Sequence, residues 1–397
     1  MRAQVGIIGA GSAGLLLSHL LHMAGIESVV LERQSRPYVE SRIRAGQLEW
    51  GTTELLKQAG LGERMVREGM VHRGFILVLD GHPHRIDLAD LTDGKTVTVY
   101  GQNELIKDMI QARLTAGGTL VFDAEITRID ELDGDRPIIR FTHQGECLEL
   151  ECDYVAGCDG FHGISRQCLP AGSFREFTQD YPVAWLGILA KAPIFSRELV
   201  YSPHEQGFSL FSMRSPELSR AYLQCAPDEK LVNWPDDRIW SELHHRLESA
   251  DGRTLCEGPI IDKSITTIRS YVVEPMQYGR LFLAGDAAHI VPPSAAKGLN
   301  AAVADAAVLS KALKAYYGRG DREQLANYST NCLKNVWQQQ NFSCRMTRLL
   351  HRFDKLTPFE RQVQRSELHS LIINRCSSVA FAESYVGIPW AASVIPL

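Results

Sequence analysis

The fold is decided by the stretch VGIIGAGSAGLLLSHLLHMAGIESVVLER, residues 5–33. An apolar run meets a turn with glycines at Gly9, Gly11 and Gly14. A helical pattern follows, and a second apolar run then ends on Glu32. The glycines permit a tight turn, close approach of a pyrophosphate to the backbone, and close packing of the helix on the sheet. Glu32 is spaced to accept hydrogen bonds from a ribose diol. The stretch therefore predicts a dinucleotide-binding βαβ unit.

The acid at position 32 also discriminates between dinucleotides. A carboxylate at the ribose repels a 2′-phosphate, so the site suits NAD or FAD and disfavours NADP. The first stretch alone leaves these two open.

Composition indicates an ordinary globular protein. The chain has 397 residues, 45% of them hydrophobic and 22% charged, with a net charge of -5, so it has no basic footprint for nucleic acid. The segment from Ala3 to Ile26 carries no Asp, Glu, Lys or Arg, but its glycines and its two histidines argue against a signal or membrane segment. Nine cysteines without a CxxC pair argue against a disulfide framework or a metal site and favour a cytoplasmic location.

The pattern along the chain predicts a mixed α/β fold with an inserted β-rich region. Helical patterns occupy Gln47–Ala59, Gln102–Leu114, Asp236–Ser249 and most of the chain from Ala301 to about Ser384. Strand patterns occupy Gly74–Leu79, Thr96–Tyr100, Thr119–Ile129, Ile138–His143, Cys147–Val155, much of Tyr181–Ala226, and Ser264–Val273. We predict a Rossmann-like dinucleotide domain begun by residues 1–180, a mainly β substrate domain at 181–273, and completion of the first domain with a helical region at 274–397.

A second nucleotide signal lies at Leu281–Asn300. A short apolar strand is followed by Asp286, where a carboxylate can bind a polyol such as ribityl. Gly298, Leu299 and Asn300 then open an alanine-rich helix. A helix N-terminus favours the negative charge of a reduced isoalloxazine ring. The two signals together favour FAD.

The segment after Glu32 is rich in arginine, with Arg33, Arg36, Arg42 and Arg44. The residues alone leave open whether this is a solvated loop or a set of anion contacts beside the phosphate turn. No second GxGxxG occurs, so a nicotinamide coenzyme would have to bind without its own Rossmann unit.

Three motifs, GAGSAG followed by Glu32, CDGFHGISR at 158–166, and GDAAHIVPP followed by AKGLN at 285–300, resemble those of the class A flavoprotein aromatic hydroxylases. Within that family the chain is similar to the 4-hydroxybenzoate 3-hydroxylases over nearly its whole length. The closer similarity rests on the middle sheet, RIRAG, TVTVYGQ and the C-terminal Tyr385.

The resemblance implies roles for individual residues. FAD contacts are expected from Arg33, Arg42, Arg44, Gln102, Asp159, Asp286, Leu299 and Asn300, beside the glycine turn and Glu32. The substrate carboxylate is expected at Ser212, Arg214 and Tyr222, although by pattern alone Arg214 resembles a surface arginine. The substrate phenol is expected at Tyr201, Tyr385 and the Pro293 carbonyl, and Asn300 counts with them as catalytic. His72 would pass the phenol proton to solvent, and Trp185 would lie against the flavin.

The resemblance also implies the reaction. NADPH would bind near Arg33, Gln34, Tyr38, Arg42, Phe161, His162, Arg166 and Arg269, and O2 would hydroxylate 4-hydroxybenzoate to 3,4-dihydroxybenzoate in a homodimeric enzyme. The alternatives are a related hydroxylase for another benzoate or phenol and a flavin-dependent dehydrogenase. The chain departs from the family pattern at Ser12-Ala13, at Ser294-Ala295, and at Gln47, where an aliphatic residue is expected near the pocket.

Overall fold

The computed structural model describes residues 1–42, 46–247 and 249–387. Its strands are β1 (Arg2–Ile8), β2 (Ser28–Leu31), β3 (Gln47–Leu48), β4 (Met70–His72), β5 (Gly74–Leu79), β6 (His82–Asp87), β7 (Val97–Val99), β8 (Thr119–Val121), β9 (Glu125–Asp130), β10 (Ile138–His143), β11 (Glu146–Gly157), β12 (Arg175–Ala190), β13 (Val200–Ser202), β14 (Ser209–Ser215), β15 (Leu218–Cys225), β16 (Ile260–Glu274), β17 (Gln277–Tyr278), β18 (Leu281–Leu283) and β19 (His289–Ile290). Its helices are α1 (Ser12–Met23), α2 (Arg36–Ser41), α3 (Trp50–Gln58), α4 (Glu63–Glu68), α5 (Leu88–Leu91), α6 (Gln102–Thr115), α7 (Asp236–Leu247), α8 (Gly298–Arg319), α9 (Glu323–Ala326), α10 (Tyr328–Leu350), α11 (Pro358–Ile373) and α12 (Arg375–Val386).

The first sheet is the dinucleotide sheet that the N-terminal pattern predicts. Its strands lie in the order β17-β18-β11-β1-β2-β8, and the contacts from β18 to β8 are parallel. β9 and β10 extend β11 as an antiparallel meander. All four residues of β2 are buried, as expected for a parallel strand covered on both faces. The mixed α/β fold class is therefore confirmed.

The second sheet runs in the order β19-β16-β12-β15-β14-β13-β5-β6. It is antiparallel except where β13 pairs with β5. Two features differ from the predicted division of the chain: β12 begins at Arg175, before residue 181, and β5 and β6 come from the segment assigned to the first domain. These strands join the sheet through pairings between distant parts of the chain, which local sequence pattern does not reveal. The three-part domain division stays a prediction.

A third sheet has three strands in the order β3-β7-β4. The predicted helix at Gln47 begins instead at Trp50, because Gln47 and Leu48 pair with β7 and Glu49 occupies the helix N-cap. Gln47 lies opposite Val99 in this sheet.

Three apolar clusters stabilise the fold. One lies between the first sheet and α1, α6 and α8, and one lies between the second sheet and helices α10 to α12. The third packs the opposite face of the second sheet against α7. No helix within the described ranges is long and apolar enough to cross a membrane.

Candidate active site

The glycine turn has the geometry that phosphate binding requires. Gly9 has a φ of 103°, in the region that favours glycine, and its N–H donates to the Leu31 carbonyl at 2.7 Å. A Cβ on Gly14 would overlap the Gly9 carbonyl, so only glycine lets α1 start this close to β1. A Cβ on Gly11 would meet no protein atom within 4 Å, which leaves its backbone open to a ligand. The first turn of α1 contains no acidic residue to compete for that position.

Glu32 braces this turn from the end of β2. Its Oε2 accepts a hydrogen bond from the Ala10 N–H at 2.7 Å, and its Oε1 accepts one from the Gln34 N–H at 2.9 Å. Each carboxylate oxygen can accept a second bond, so the partly buried group can hold the turn and still bind a diol.

Gln102 lies at the same turn. Its Nε2 donates to the Ser12 Oγ at 3.1 Å, which brings the first residue of α6 against the first residue of α1. Ser12, which departs from the family pattern, thus accepts a hydrogen bond from another side chain of the protein. Arg42, ten residues after Glu32 in the sequence, is exposed, and Arg44 lies outside the described residues.

The second motif is supported by a buried histidine–aspartate pair. Asp286 lies in the single turn Gly285–Ala287 that follows β18. The Gly285 N–H donates to the Asp305 Oδ2 at 2.9 Å, and the same oxygen lies 2.6 Å from the His289 Nε2. Burial alone would lower the pKa of His289, but the Asp305 carboxylate outweighs burial and raises it. This pair holds the turn that presents Asp286.

The side chain of Asn300 bonds to other groups of the protein, and its predicted FAD contact and catalytic role stay predictions. Its Oδ1 accepts bonds from the Glu49 N–H (2.9 Å) and the Thr52 hydroxyl (2.8 Å). Its Nδ2 donates to the carbonyls of Gln47 (3.1 Å) and Ala296 (3.0 Å). An amide makes four such bonds, so its polar side-chain capacity is used within the protein. A flavin contact would come from the backbone N–H groups at the start of α8, which Asn300 fixes in place.

The CDGFHGISR motif presents a buried acceptor. The Asp159 Oδ2 accepts bonds from the Ser165 N–H and hydroxyl, both at 2.9 Å. Its Oδ1 is buried and has no hydrogen-bond partner within the described part of the chain. Burial raises the pKa of Asp159.

Four of the residues predicted for NADPH form one partly exposed cluster. Arg166 and Arg269 stack on Phe161, with the guanidinium carbon 4.5 and 5.4 Å from the ring centroid. His162 meets the same ring edge-on at 5.1 Å. The other predicted residues, Arg33, Gln34, Tyr38 and Arg42, lie on or beside α2. Tyr38 and both of these arginines are exposed.

The predicted substrate residues share one face of the second sheet. Tyr201 pairs with Leu210, and Leu210 pairs with Tyr222 across the next strand. Ser212 lies two residues along β14 and pairs with Arg220. Directly paired residues, and those two apart on a strand, point to the same side. The sheet therefore presents these hydroxyls together.

Arg214 supplies an unmatched positive charge at this face. Its Nη1 donates to the Ser212 Oγ at 3.3 Å and to the Met213 carbonyl at 2.9 Å, and its buried Nε has no partner among the described residues. Within those same ranges no carboxylate lies within ion-pair distance of it. Burial lowers its pKa. Although burial alone would raise the pKa of Tyr222, Arg220 and Arg214 together lower it. This part of the sheet face is electropositive and suits an anion.

The tyrosine pair is formed as the resemblance implies. The Tyr201 and Tyr385 hydroxyl oxygens are 2.8 Å apart, and both side chains are buried. The Phe75 ring stacks on that of Tyr385, with centroids 4.9 Å apart, and meets that of Tyr201 edge-on, with centroids 5.4 Å apart. Burial raises the pKa of Tyr385 to about 12 and that of Tyr201 well above its usual value. Both groups are therefore neutral hydroxyls at physiological pH.

His72 makes no hydrogen bond to this pair within the described residues. It is 1% exposed on β4, and neither ring nitrogen has a hydrogen-bond partner in the part of the chain that the structure describes. Burial lowers its pKa to about 4, so the imidazole is neutral at physiological pH. The predicted route from Tyr385 through His72 to solvent is not closed by a hydrogen bond here, and it stays a prediction.

Pro293 begins a single turn, Pro293–Ala295, and its ring is exposed. Its carbonyl accepts a bond from the Ala296 N–H at 3.0 Å and retains a second lone pair for a ligand. Ser294 lies 2.9 Å from the Thr347 hydroxyl, so this departure from the family pattern is also engaged within the protein.

Trp185 is buried on the same sheet face as Tyr222, with ring centroids 4.8 Å apart. Its indole N–H donates to the His351 Nε2 at 2.6 Å, and the His351 Nδ1 pairs with the Thr347 carbonyl at 2.9 Å. The proton on His351 is therefore at Nδ1. Residue pattern gave no sign of this histidine.

A buried ion pair joins the two halves of the site and was likewise not predicted. The Lys297 Nζ donates to the Glu49 carboxylate, to the Ser384 carbonyl at 2.6 Å and to the Tyr385 carbonyl at 3.1 Å. Both ionic side chains are about 2% exposed. The only sequence signal was the position of Lys297 inside AKGLN. The partners are 248 residues apart, which no local pattern reveals.

Comparisons with known proteins agree with this geometry. The family model described as FAD binding domain matches residues 2–343. The p-hydroxybenzoate hydroxylase of Acinetobacter baylyi is 45% identical over 98% of this chain and 96% of its own length. A probable NADH-specific resorcinol 4-hydroxylase of Rhodococcus jostii is 26% identical over 76% of this chain and 57% of its own length.

Solved structures show the same fold. The p-nitrophenol 4-monooxygenase of Pseudomonas putida superposes with a TM-score of 0.80 at 18% identity and covers 97% of both chains. The anhydrotetracycline hydroxylase of Streptomyces rimosus has a TM-score of 0.77 at 24% identity, over 98% of this chain and 76% of its own. The glycine turn, Glu32 and the open N-terminus of α8 fit FAD. The chain thus belongs to the FAD-dependent aromatic monooxygenase family that includes p-hydroxybenzoate hydroxylase.

Proposed function

We propose that this monooxygenase hydroxylates 4-hydroxybenzoate at the 3-position, using NADPH and O2. The main support is the position of Arg214, which shares a sheet face with the Tyr201–Tyr385 hydroxyl pair. Its guanidinium has no carboxylate partner among the described residues. One end of the site suits a carboxylate and the other suits a phenol. The name of the 45% identical relative supports the same substrate.

The residues that would hold FAD are those of the two nucleotide motifs. The glycine turn and the start of α1 would bind the pyrophosphate, and Glu32 would bind the adenosine ribose. Asp286 would bind the ribityl chain, and the backbone N–H groups at the start of α8 would face the flavin ring. When bound, FAD supplies the redox chemistry that takes a hydride from NADPH and transfers one oxygen atom of O2 to the ring.

The protein's own residues orient the substrate. Arg214 would bind the carboxylate in a bidentate manner, while the Ser212 and Tyr222 hydroxyls complete the contacts without adding charge. Tyr201 and the Pro293 carbonyl would bind the 4-hydroxyl. This fixes the ring carbon ortho to the phenol as the position that reacts.

The hydroxyl pair would assist the chemistry by managing one proton. Attack of an electrophilic oxygen on the ring is faster on a phenolate than on a neutral phenol, so a group that stabilises developing phenolate charge accelerates it. The balance is one 4-hydroxybenzoate, one NADPH, one proton and one O2, giving 3,4-dihydroxybenzoate, NADP⁺ and water. Burial of the tyrosines keeps bulk water from the reacting atoms.

NADPH would use the partly exposed cluster of Phe161, His162, Arg166 and Arg269 together with the basic segment around α2. Arginines stacked on the partly exposed Phe161 ring suit a phosphate-rich ligand. The adenosine 2′-phosphate would lie near Arg33 and Arg42.

One observation favours a second substrate. Gln47, buried at 6% exposure, contacts Tyr385 where the family pattern has an aliphatic residue. A polar side chain there suits a ring that carries a further polar substituent, so another substituted benzoate is the second candidate.

The test is a product assay. The FAD-loaded protein is incubated with NADPH, ¹⁸O2 and a panel of hydroxybenzoates and aminobenzoates, and the products are identified by mass spectrometry. We expect 3,4-dihydroxybenzoate with one ¹⁸O atom from 4-hydroxybenzoate. NADPH oxidation without label in any aromatic product would show a dehydrogenase or oxidase instead, and label in another product would show the second candidate.

A cytoplasmic homodimer is part of the same proposal. All nine cysteines are free, which suits a reducing compartment. Phe359 and Val363, four residues apart on α11, are 76% and 52% exposed, and such an apolar stripe suits contact with a second copy. Sedimentation of the purified protein would give the assembly directly.

A further inference from the structure

Tyr201 and Tyr385 form a chain of hydrogen-bonded side chains, and Gln47 is its third member. The Tyr385 Oη donates to the Gln47 Oε1 at 3.3 Å, and the Tyr201 and Tyr385 oxygens are 2.8 Å apart. Gln47 is the residue whose polar side chain departs from the aliphatic pattern near the pocket. The contact joins residues 338 positions apart.

The surrounding structure fixes both partners of this contact. The Gln47 carbonyl accepts from the Asn300 Nδ2 at 3.1 Å, and Gln47 pairs with Val99 in the third sheet. The Tyr385 carbonyl accepts from the Lys297 Nζ at 3.1 Å. The two side chains are therefore positioned from backbones that are both anchored to the start of α8.

The bond from Tyr385 to Gln47 determines which group donates in each hydrogen bond of the series Tyr201, Tyr385 and Gln47. A hydroxyl has one proton, and an amide oxygen can only accept. Because Tyr385 donates to Gln47, its oxygen must accept from Tyr201. The single proton of Tyr201 is then used, and its oxygen faces the substrate only as an acceptor. In this arrangement a bound phenol donates to Tyr201, which favours its neutral form.

We propose that Gln47 is a positioning residue that sets the polarity of the Tyr201–Tyr385 chain and holds the bound phenol neutral until Tyr385 turns away from it. An amide oxygen does not take up a proton at physiological pH, so the chain has no proton exit in this arrangement. When Tyr385 leaves Gln47, the phenol proton can move to Tyr201, the Tyr201 proton to Tyr385 and the original Tyr385 proton to water. Tyr385 then donates to Tyr201, and Tyr201 donates to the phenolate. The inference rests on the proposed function, because it requires a phenolic substrate at Tyr201.

The other charged and titratable groups around Tyr385 come from several elements. Glu198, paired with Arg85, acts on both Tyr385 and His72, and the Glu49–Lys297 pair lies at the end of α12. Arg214 and Arg220 face the opposite end of the site. None of them is altered by a substitution at Gln47, so a shift in phenol ionisation would report the hydrogen-bond chain.

The test measures ionisation of bound 4-hydroxybenzoate by its ultraviolet difference spectrum against pH. Gln47→Met has a similar volume and no acceptor, so Tyr385 is released to donate to Tyr201. We expect the pKa of the bound phenol to fall by about 0.7 pH unit, a fivefold change, which is the net strength of one ordinary hydrogen bond. Gln47→Glu keeps an acceptor and adds negative charge, so above the pH where that carboxylate ionises the phenol pKa should rise. General damage to the pocket would shift both variants in the same direction and would overturn the proposal.

A double-mutant cycle gives a second, independent readout. Because Gln47 acts through the Tyr385 hydroxyl, Gln47→Met should have no further effect on phenol ionisation in a Tyr385→Phe background. An unchanged phenol pKa in Gln47→Met, or a full effect without the Tyr385 hydroxyl, overturns the proposal. A rise in Gln47→Met would mean that the amide donates instead, which also overturns it. Failure of the unaltered protein to bind 4-hydroxybenzoate would refute the proposed function separately.

Discussion

Replacing Arg214 with glutamine tests the carboxylate site most directly. The two hydrogen bonds of Arg214 within the protein both use Nη1, so Nε and Nη2 form the edge that can face a carboxylate. Each hydrogen bond to a charged group contributes roughly 1.5–3 kcal/mol. Loss of the pair, partly offset by the hydroxyls that remain, should weaken binding by about 2–5 kcal/mol. That corresponds to an increase in Kd of roughly 30-fold to several thousand-fold.

The assay is equilibrium titration of 4-hydroxybenzoate against flavin fluorescence, run beside 4-hydroxybenzamide, which has the same shape but no charge. Arg214→Gln should lose affinity for the acid and little for the amide. FAD content should stay the same, since Arg214 lies on the second sheet. An equal loss for both ligands, or an unchanged Kd for the acid, would refute the assignment.

A matched variant separates binding from stability. Arg246 is also a buried arginine, but it pairs with Glu242 at 2.8 Å. Arg246→Gln should lower Tm, because it leaves a carboxylate without its partner, and should leave the substrate Kd unchanged. Arg214→Gln should not lower the Tm of the substrate-free protein, because burial of its unmatched charge is itself unfavourable.

Three further outcomes are expected. Tyr201→Phe should keep NADPH oxidation in part while hydroxylated product falls and H2O2 rises, measured as product per NADPH consumed; full coupling would mean that this ring only packs. Arg33→Ala combined with Arg42→Ala should reduce kcat/KM for NADPH more than for NADH, with the difference shrinking at high salt; parallel losses would place the 2′-phosphate elsewhere. Because Asp305 raises the pKa of His289, the stability from this pair is fully present below about pH 6.5 and is lost as pH rises through the raised value. The difference in Tm between the unaltered protein and His289→Asn should therefore narrow with rising pH, and a difference that widens would contradict the assigned ion pair.

The sequence predicted those features whose contacting residues lie close together in the chain. The strand–helix–strand unit that carries the glycine turn and Glu32 could be predicted because the residues that contact each other are close in the chain, as the bond between Ala10 and Glu32 shows. The proximity of Tyr201 and Tyr385 came only from the resemblance to a family, since no periodicity connects two tyrosines so far apart.

Other features depended on distant partners and could not be predicted. The helix at Gln47 was expected three residues too early because the pattern does not show that Gln47 pairs with Val99. The burial of His72 follows from the third sheet, whose short strands carry little sequence signal. The engagement of Asn300 by four protein groups likewise requires knowing which segments meet at the start of α8.

The bonds at the start of α8 join residues about 250 positions apart in the sequence, and this affects the order in which the enzyme folds. Contacts between distant segments require closure of long loops, so they form late and slowly, whereas local contacts form early. The two Glu32 bonds that brace the phosphate turn join residues within the first 34 positions, so a growing chain can form them while still being synthesised. The bond of Tyr201 to Tyr385 spans 184 residues and cannot form until the segment carrying Tyr385 has been made. The Glu32-braced turn should therefore form before the tyrosine pair during synthesis, and the contact made by Tyr385 is among the last to form.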